Sequence, residues 1–324
     1  MEDIMLSIYV PVYNHEKYIE QALDSILAQQ TNYTYEVLVG EDCSTDNTRN
    51  VLKEYENAHP GFLKVIYRDK NSYKYGPILN SRDLKMRARG KYIIGLEGDD
   101  YWTDEKKIEK QIRYLENHPE CIAVSHNCVV VDQNSVMRTE VYPECLEERY
   151  TIKHFQDGLL PGQLATLMYR NVYKTLEPNS ILDKRLMVGD TVIAFYLLAK
   201  GEIHCIQEKM SAYRYVTCEG DSFSANFVYS FKKSELLYRS LLEFAKEQGN
   251  EEIITVAEFC YLKSLMTGVK KKEIGVKELR NYCRYITHKG RVCLKYLVFR
   301  VEKDIFRKKT LCGYRSDGKK YVGK

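Results

Sequence analysis

An alternation of strand-like and helix-like segments over the first hundred residues constrains the fold of this sequence more than any other feature. Apolar runs typical of buried strands lie at 6–13, 35–40, 63–67 and 91–96, and helical spacing of apolar residues lies between them at 16–30, 45–58 and 77–88. Strands joined by short helical crossovers run parallel, so we expect a mostly parallel sheet with helices on both faces. Such a sheet binds ligands at the carboxyl ends of its strands, which makes the polar residues there the first candidates for a functional site.

The remainder of the chain continues this pattern and then becomes helical. We expect a helix at 104–117, a strand at 121–132, an irregular stretch at 133–162, a segment at 163–169, a helix at 191–200 and an extended stretch at 203–215. From about Ser230 the apolar residues keep helical spacing. A length of 324 residues suits one large α/β domain with an appendage. We therefore expect an α/β domain at 1–225 and a helical, basic region at 226–324.

Charge is distributed unevenly between the two parts. Residues 261–324 contain 19 Lys/Arg and 5 Asp/Glu, a net charge of +14. Residues 1–260 contain 30 Lys/Arg and 40 Asp/Glu, a net charge of −10. A basic tail on an acidic body indicates an anionic surface as a partner for the tail alone. A nucleic-acid partner is not expected, because the tail keeps helical apolar spacing and contains no recognised nucleic-acid module.

Within the tail, apolar residues share one face of a predicted helix. Leu294, Val298, Val301 and Ile305 are spaced by four, three and four. Basic residues surround or follow that face, at Lys295, Arg300, Lys303, Arg307, Lys308 and Lys309. Two interpretations remain open. The helix packs on the α/β domain with a solvated basic side, or it lies on an anionic cytoplasmic leaflet.

Several classes of protein are excluded by what the sequence lacks. The longest apolar run has eight residues, Val192 to Ala199, whereas a membrane span needs about 20. The first residues have neither a basic start nor an apolar block, so we expect no secretory signal. The ten cysteines form no Cys-x-x-Cys pair, which favours free thiols in a reducing cytoplasm. No paired histidines, Gly-x-Gly-x-x-Gly or Gly-Lys-Ser/Thr loop occurs, which argues against zinc, dinucleotide and P-loop enzymes.

Acidic residues follow two of the predicted strands. Glu97-Gly98-Asp99-Asp100 ends the fourth strand, where carboxylates suit a divalent cation shared with phosphate oxygens. The alternative is a polar turn that leads into the next helix. Asp42 ends the second strand and could accept hydrogen bonds from a nucleobase or ribose. Its alternative is to cap the following helix, a role that Ser44 or Thr45 could fill equally well.

Three further residues have both a functional and a structural interpretation. Asp190 directly precedes an apolar helical run, so it is either the N-cap of that helix or a well-positioned general base. Tyr13 could stack on a base or simply close the first strand. His126 lies inside a strand-like run, where a hydrogen-bonded core histidine is the favoured interpretation.

Three motifs together resemble the family 2 glycosyltransferases of GT-A fold. They are Ser7 to Asn14 (SIYVPVYN), Glu36 to Thr48 (EVLVGEDCSTDNT) and Gly90 to Trp102 (GKYIIGLEGDDYW), in the family's order and spacing over residues 6–118. The resemblance continues more weakly through Gly189-Asp190 and Ala212-Tyr213-Arg214 to about residue 225.

The resemblance implies roles for individual residues. Pro11, Tyr13, Asp42 and Arg68 would hold the nucleotide, usually a uridine nucleotide. Asp99, the second acid of the family's Asp-x-Asp motif, would bind a divalent cation, manganese or magnesium, beside the ribose. Asp190 would deprotonate the acceptor hydroxyl.

Two departures from the family pattern follow. Glu97 occupies the position where the first acid of the motif is usually Asp. We expect it to interact with the metal indirectly, either through a water molecule or by contacting a residue that binds the metal. Residues 215–222 (YVTCEGDS) replace the loop that relatives often carry after Tyr-Arg, so the acceptor-side loop cannot be copied from them.

The resemblance thus implies an inverting glycosyltransferase with a nucleotide-diphosphate-sugar donor, a UDP-sugar by expectation. Its acceptor would be a saccharide or lipid-linked saccharide in bacterial surface-polysaccharide synthesis. We expect a cytoplasmic protein, peripheral at the inner face of the cell membrane. The alternative is a non-catalytic nucleotide-sugar-binding or scaffold subunit of a polysaccharide assembly complex, against which the intact Asp99 and Asp190 argue.

Overall fold

A single mixed sheet forms the centre of the protein. The structure, a computed structural model, describes residues 3–75, 79–139, 142, 146–184, 186, 189–215 and 228–305, and for 301–305 the backbone only. The strands are β1 (Leu6–Val12), β2 (Tyr35–Glu41), β3 (Lys64–Tyr67), β4 (Tyr92–Gly95), β5 (Tyr101–Trp102), β6 (Cys121–Val131), β7 (Arg149–Tyr150), β8 (Met168–Arg170) and β9 (Glu202–Arg214). Their order is β3-β2-β1-β4-β8-β6-β9-β5, and β7 pairs with β9.

The first four strands are parallel, as the alternating pattern predicts. β1 lies between β2 and β4, and β3 pairs with the outer side of β2. In this register Tyr9 is opposite Gly95, and Pro11 is opposite Gly40. The segments that follow β1, β2, β3 and β4 therefore meet at one edge of the sheet.

The second half of the sheet changes direction. β8 is antiparallel to both β4 and β6, whereas β9 runs parallel to β6 and antiparallel to β5. Because β5 follows the acidic turn and pairs with the end of β9, residues near 100 and near 214 become neighbours. The site edge is thus completed by the second half of the chain.

Helices cover both faces of the sheet. They are α1 (Ile19–Leu27), α2 (Thr48–Ala58), α3 (Leu79–Arg87), α4 (Lys107–Asn117), α5 (Ile152–Asp157), α6 (Gly189–Leu198), α7 (Phe231–Gln248), α8 (Glu251–Lys270), α9 (Val276–Tyr282) and α10 (Lys289–Ile305). Alternate residues of a strand face opposite sides of the sheet. Accordingly, Ile8 belongs to one core with Leu23, whereas Tyr9 belongs to the other with Phe195 and Phe259.

The predicted helical region after Ser230 is present. α7 ends at Gly249, whose φ of 69° is a left-handed conformation that favours glycine, and Asn250 caps α8 by accepting hydrogen bonds from the amides of Glu252 and Ile253. α7 and α8 contribute to the same core as α6. The boundary predicted at 225 lies outside the described residues, and so do Arg307, Lys308 and Lys309. Among the described helices, none is long and apolar enough to cross a membrane.

His126 is a core histidine, but only half of its hydrogen-bonding capacity is used. Its Nδ1 lies 2.8 Å from the carbonyl oxygen of Asn127, whereas its buried Nε2 has no partner among the described residues. The prediction of a fully hydrogen-bonded ring is therefore wrong. The pairing of β6 with β9 is irregular on both sides of Asn127, which removes the regular neighbours of this ring. Burial, with the nearby Lys107, lowers the pKa of His126 well below its usual value.

Candidate functional site

The acidic turn after β4 is held against the end of β1. The amide of Leu96 donates to the carbonyl of Tyr9 (3.0 Å), and the amide of Gly98 donates to the carbonyl of Pro11 (3.4 Å). A side chain at Gly98 would place its Cβ 2.7 Å from the Nδ1 of His15, so only glycine fits without a shift. One oxygen from each of Glu97, Asp99 and Asp100 lies within 4.8 Å of the others.

Asp100 anchors the acidic turn to the rest of the protein. Its side chain is buried, with Oδ1 accepting from the amide of Arg214 (2.7 Å) and Oδ2 from the Nε2 of Gln163 (2.5 Å). Burial, together with the charges of Asp99 and Glu97, raises the pKa of Asp100 well above its usual value. Protein donors thus bind both carboxylate oxygens of Asp100.

The side chain of Arg214 connects the acidic turn to the loop after β6 and to α1. Its guanidinium donates to the carbonyl oxygens of Asp99 (2.8 Å) and Asp132 (2.9 Å) and to the Oε1 of Gln21 (2.7 Å). It also lies over the ring of Tyr18, 4.4 Å from the centroid, and is 4% exposed. Arg214 thus fixes the backbone of the acidic turn from the far end of β9.

These residues fit a divalent cation. Hard cations such as Mg²⁺ and Mn²⁺ prefer carboxylate oxygens, and the turn brings three carboxylates together. The Asp99 side chain is 25% exposed, so it can reach a ligand in the cleft, and the Nε2 of His15 lies 4.0 Å from its Oδ2. Without a cation, the acids of this turn would repel a diphosphate.

Asp42 is buried at the end of β2 and does not cap α2. Its Oδ1 accepts from the amide of Ser72 (2.8 Å), and the Nε of Arg68 is 3.8 Å away. α2 begins at Thr48 after Asn47, and the hydroxyl of Ser44 instead accepts from the amide of Asn14 (3.1 Å). The hydroxyl of Thr45 donates to the Oδ1 of Asn14 (3.2 Å). The capping role is therefore wrong for Asp42, Ser44 and Thr45, because Asn47 occupies the N-cap position.

Arg68 lies beside Asp42, at the end of β3. Its Nη2 forms an ion pair with Asp83 (2.8 Å), and its Nε donates to the Oδ1 of Asn80 (3.0 Å). Asn80 also donates to the carbonyl of Gly40. Arg68, predicted to help hold the nucleotide, thus lies next to Asp42, whereas Asn80 and Asp83, which hold Arg68 in place, were not predicted.

The loops after β1 and β2 are joined by hydrogen bonds around Tyr13. The Oδ1 of Asn14 accepts from the amide of Thr45 (2.8 Å), and the amide of His15 donates to the hydroxyl of Thr48 (2.8 Å). Asn14 and Cys43 both have left-handed backbones, with φ of 55° and 60°. Non-glycine residues in this conformation cluster at functional sites. Tyr13 is half-buried at this edge of the sheet.

Asp190 lies in the first turn of α6. The helix begins at Gly189, so Asp190 is its second residue and the N-cap interpretation is wrong. An acid at this position interacts favourably with the helix dipole. Burial raises the pKa of Tyr9, and the charges of Asp190 and Glu97 both raise it further. The exposed Asp190 and Glu97 of the acidic turn are therefore both near enough to this buried tyrosine to affect its pKa.

The structure thus brings the predicted residues to one edge of the sheet in three groups. Asp42 and Arg68 are neighbours, Glu97 and Asp99 share the acidic turn, and Asp190 acts with Glu97 on Tyr9. Sequence reasoning missed the residues that support these groups, which are His15, Asn80, Asp83, Gln163 and Arg214. Of these, Arg214 could have been suspected, because it ends the Ala-Tyr-Arg segment in which the family resemblance continues. The loop at 216–225 lies outside the described residues.

Comparisons with known proteins identify the family of this chain. Residues 7–174 match the family described as Glycosyl transferase family 2. An uncharacterized protein of Mycobacterium tuberculosis is 33% identical over 219 residues, which cover 64% of this chain and 58% of that protein. The putative teichuronic acid biosynthesis glycosyltransferase TuaG of Bacillus subtilis is 26% identical over 272 residues, 83% of this chain and 97% of that one. The chain thus spans less than two thirds of the mycobacterial relative's length and nearly all of TuaG.

A solved structure shows the same fold. The crystal structure of S. aureus TarS 1–349 in complex with UDP-GlcNAc superposes with a TM-score of 0.62 at 20% sequence identity, covering 88% of this chain and 82% of that one. The predicted fold class, a mostly parallel GT-A sheet flanked by helices with a helical C-terminal extension, is confirmed. The predicted family is confirmed as well, because the match covers more than half of the sequence. This chain belongs to glycosyl transferase family 2.

Proposed function

We propose that this protein is an inverting glycosyltransferase that moves a sugar from a UDP-sugar to an acceptor hydroxyl. The observation that carries the proposal is that an acidic turn suited to a metal and the exposed Asp190 both lie near the buried Tyr9. The names of the relatives support it, since TuaG is called a glycosyltransferase and the TarS structure holds UDP-GlcNAc.

The nucleotide would bind at the ends of β1, β2 and β3. Asp42 is held in one orientation by the amide of Ser72, and we assign its Oδ2 to the imide N–H of the uracil. Tyr13, with Pro11 behind it, would stack on the base. Arg68 would help to orient Asp42, since its Nε lies 3.8 Å from Asp42 while its Nη2 is held by Asp83 at 2.8 Å.

The diphosphate would lie over the acidic turn. Asp99 would bind Mg²⁺ or Mn²⁺ directly, and Glu97 would bind it through water. Such a cation offsets the negative charge of a departing diphosphate. Asp100, Gln163 and Arg214 would keep the turn in place throughout, since they bind its backbone and its buried carboxylate.

Asp190 would act on the acceptor. Its carboxylate would take the proton of the acceptor hydroxyl while that oxygen forms a bond to the anomeric carbon. The bond from the anomeric carbon to the diphosphate breaks in the same displacement, and UDP leaves with the electron pair. Attack from the face opposite the leaving group inverts the anomeric centre. Holding donor and acceptor in one cleft contributes much of the acceleration.

The acceptor we propose is a saccharide or lipid-linked saccharide of a bacterial surface polysaccharide. Relatives are named for such products: TuaG for teichuronic acid biosynthesis and TarS for transfer of N-acetylglucosamine to poly(ribitol phosphate). A lipid-linked acceptor would place the enzyme in the cytoplasm, peripheral at the inner face of the membrane. Residues 1–225 would then be the catalytic domain and 226–324 the helical region that contacts its surroundings.

A donor screen tests the proposal. We expect one UDP-sugar, with Mn²⁺ or Mg²⁺, to raise the melting temperature and to be hydrolysed slowly without acceptor, and we expect a chelator to abolish both effects. Asp99→Asn should behave like the chelated wild type. The matched control is Asp104→Asn, because Asp104 is ion-paired with Lys110 (2.7 Å) rather than grouped with the acids of the turn. Full hydrolysis in the chelator would remove the metal from the mechanism, and donor binding without any turnover would favour the scaffold alternative.

A further inference from the structure

The last described helix, α10, has two apolar faces, and only one of them packs on other residues that the structure describes. Val292 is fully buried, and Tyr296 and Phe299 pack on the same core. The ring of Phe299 contacts that of Phe259 in α8, with 5.7 Å between centroids. Leu294, Leu297 and Val298 do not join this core, and their exposed fractions are 63%, 61% and 48%.

Helix geometry places these two sets on opposite sides. At about 100° per residue, Val292, Tyr296 and Phe299 fall within roughly 60° of one another. Leu294, Leu297 and Val298 fall within roughly 100°, centred on the opposite side of the helix. The exposed set is therefore one continuous apolar face, which we call the outer face of α10. Isolated exposed apolar residues are ordinary, but a contiguous apolar face indicates a binding surface.

Basic residues border the outer face. By the same geometry, Arg291 and Lys295 lie along one side of it and Arg300 along the other. Arg291 and Arg300 are exposed. The 19 residues that follow α10 add seven Lys/Arg and one Asp. An apolar face flanked by lysine and arginine is the composition of helices that lie in a membrane interface.

We infer that the outer face of α10 binds an anionic lipid surface, with Leu294, Leu297 and Val298 in the acyl boundary and Arg291, Lys295 and Arg300 at the phosphates. The charges favour lipid over a second copy of the chain, because pairing two copies here would bring together two regions of net charge +14. The body carries −10 and would be repelled by the same surface, so the protein would be oriented with α10 toward the lipid. This inference does not require that the protein be an active transferase.

The apolar contribution is tested by sedimentation of the full chain with vesicles of phosphatidylcholine containing increasing phosphatidylglycerol. We expect Leu294→Gln/Leu297→Gln to reduce partitioning by about tenfold for each leucine. The reason is that the favourable free energy of transferring a leucine side chain from water to the lipid is lost at each position. The matched control is Val136→Gln/Leu146→Gln, since those side chains are 60% and 76% exposed on another part of the chain. The control should bind like the wild type.

The charge contribution is tested in the same assay. Arg291→Gln/Lys295→Gln should reduce partitioning into anionic vesicles by about fivefold for each residue at low salt, with little effect at high salt. Lys232→Gln/Lys233→Gln removes the same charge from the start of α7, where both side chains are exposed, and should have a smaller effect. All four variants alter side chains outside the hydrophobic core, and their melting curves show whether folding is retained.

The results that overturn the inference are distinct. Binding that does not depend on lipid charge, or that Leu294→Gln/Leu297→Gln leaves unchanged, excludes the outer face as a lipid contact. No vesicle binding, together with a wild-type oligomer that this variant converts to monomer in light scattering, assigns the face to a second copy. Turnover of a UDP-sugar by a protein that ignores vesicles would leave the proposed activity standing while this inference fails.

Discussion

Replacing Arg214 with methionine removes the side chain that links the acidic turn to β9, to the loop after β6 and to α1. Methionine has a similar length and fills a similar volume, but it cannot donate hydrogen bonds. The carbonyls of Asp99 and Asp132 and the Oε1 of Gln21 would lose the donors that they now have at 2.7–2.9 Å. The amide of residue 214 would still donate to Asp100.

The expected cost follows from these contacts. The guanidinium also donates to the hydroxyl of Ser135, at 3.1 and 3.2 Å. Hydrogen bonds from a charged group contribute about 1.5–3 kcal/mol each, so those to Asp99, Asp132 and Gln21 together would contribute about 4.5–9 kcal/mol. Part of this is offset because the guanidinium no longer has to be desolvated in a place where it is only 4% exposed. We expect Arg214→Met to lower the free energy of unfolding by about 3–5 kcal/mol, which a protein of ordinary stability survives.

The effect on UDP affinity distinguishes Arg214 from an arginine that only stabilises the fold. We expect the dissociation constant for UDP with Mn²⁺ to rise at least about tenfold, because the backbone of Asp99 is released. Arg170→Met is the matched control: its guanidinium donates to the carbonyls of Leu115, Cys121 and His118 at 2.9–3.3 Å, away from the acidic turn. It should lose comparable stability and keep its affinity for UDP.

Urea unfolding followed by circular dichroism gives the stability, and calorimetric titration at a temperature where all variants are folded gives the affinity. The reasoning is refuted if Arg214→Met unfolds within about 1 kcal/mol of the wild type, since at least one buried hydrogen bond would then contribute nothing. It is also refuted if both arginine variants lose UDP affinity equally, because the effect would then be general loosening.

Two further predictions concern the nucleotide and a buried amine. Asp42→Ala should weaken UDP binding at least about tenfold in calorimetry. It should also lower the free energy of unfolding by about 1 kcal/mol, because one hydrogen bond of that usual size, from the Ser72 amide, is lost. Unchanged affinity for UDP would remove Asp42 from the nucleotide site. Burial lowers the pKa of Lys107 well below its usual value, so the folded state binds fewer protons than the unfolded state. The contribution of this group to the free energy of unfolding therefore increases as the pH rises toward about 10.4, the usual pKa of lysine. Lys107→Met should remove that gain, seen as a urea midpoint that rises less between pH 7 and pH 10 than in the wild type, and parallel pH curves would show that Lys107 is not the source.

The arrangement of the first four strands could be predicted because its causes are local. Periodic apolar residues identify strands and helices, and parallel connection brings all strand ends to the same edge. That is why Asp42, Arg68 and Asp99 could be assigned to one edge before any contact was known. The short antiparallel strand β8, which lies between β4 and β6, has no comparable local pattern, since it is only three residues long.

The supporting residues could not be predicted, because their roles depend on contacts far apart in the sequence. Arg214 acts on Asp99, more than a hundred residues earlier, through a pairing of β5 with β9 that no local pattern indicates. The two faces of α10 show the same limit. The sequence places Leu294 and Val298 on one face, but which face packs depends on where α8 lies.

Turnover by Asp190→Asn is the measurement that tests the central proposal most directly. Asparagine preserves the size of the side chain in the first turn of α6, so folding and donor affinity should stay near those of the wild type. The control is Asp183→Asn. Asp183 lies in the short 3-10 helix Ile181–Asp183, before α6, and forms an ion pair with Arg82. With the donor found in the screen and a saccharide acceptor, we predict that transfer by Asp190→Asn falls at least about 100-fold, while the control keeps wild-type transfer. Wild-type transfer by Asp190→Asn would contradict the account, because no general base would then remain among the residues to which it assigns the chemistry.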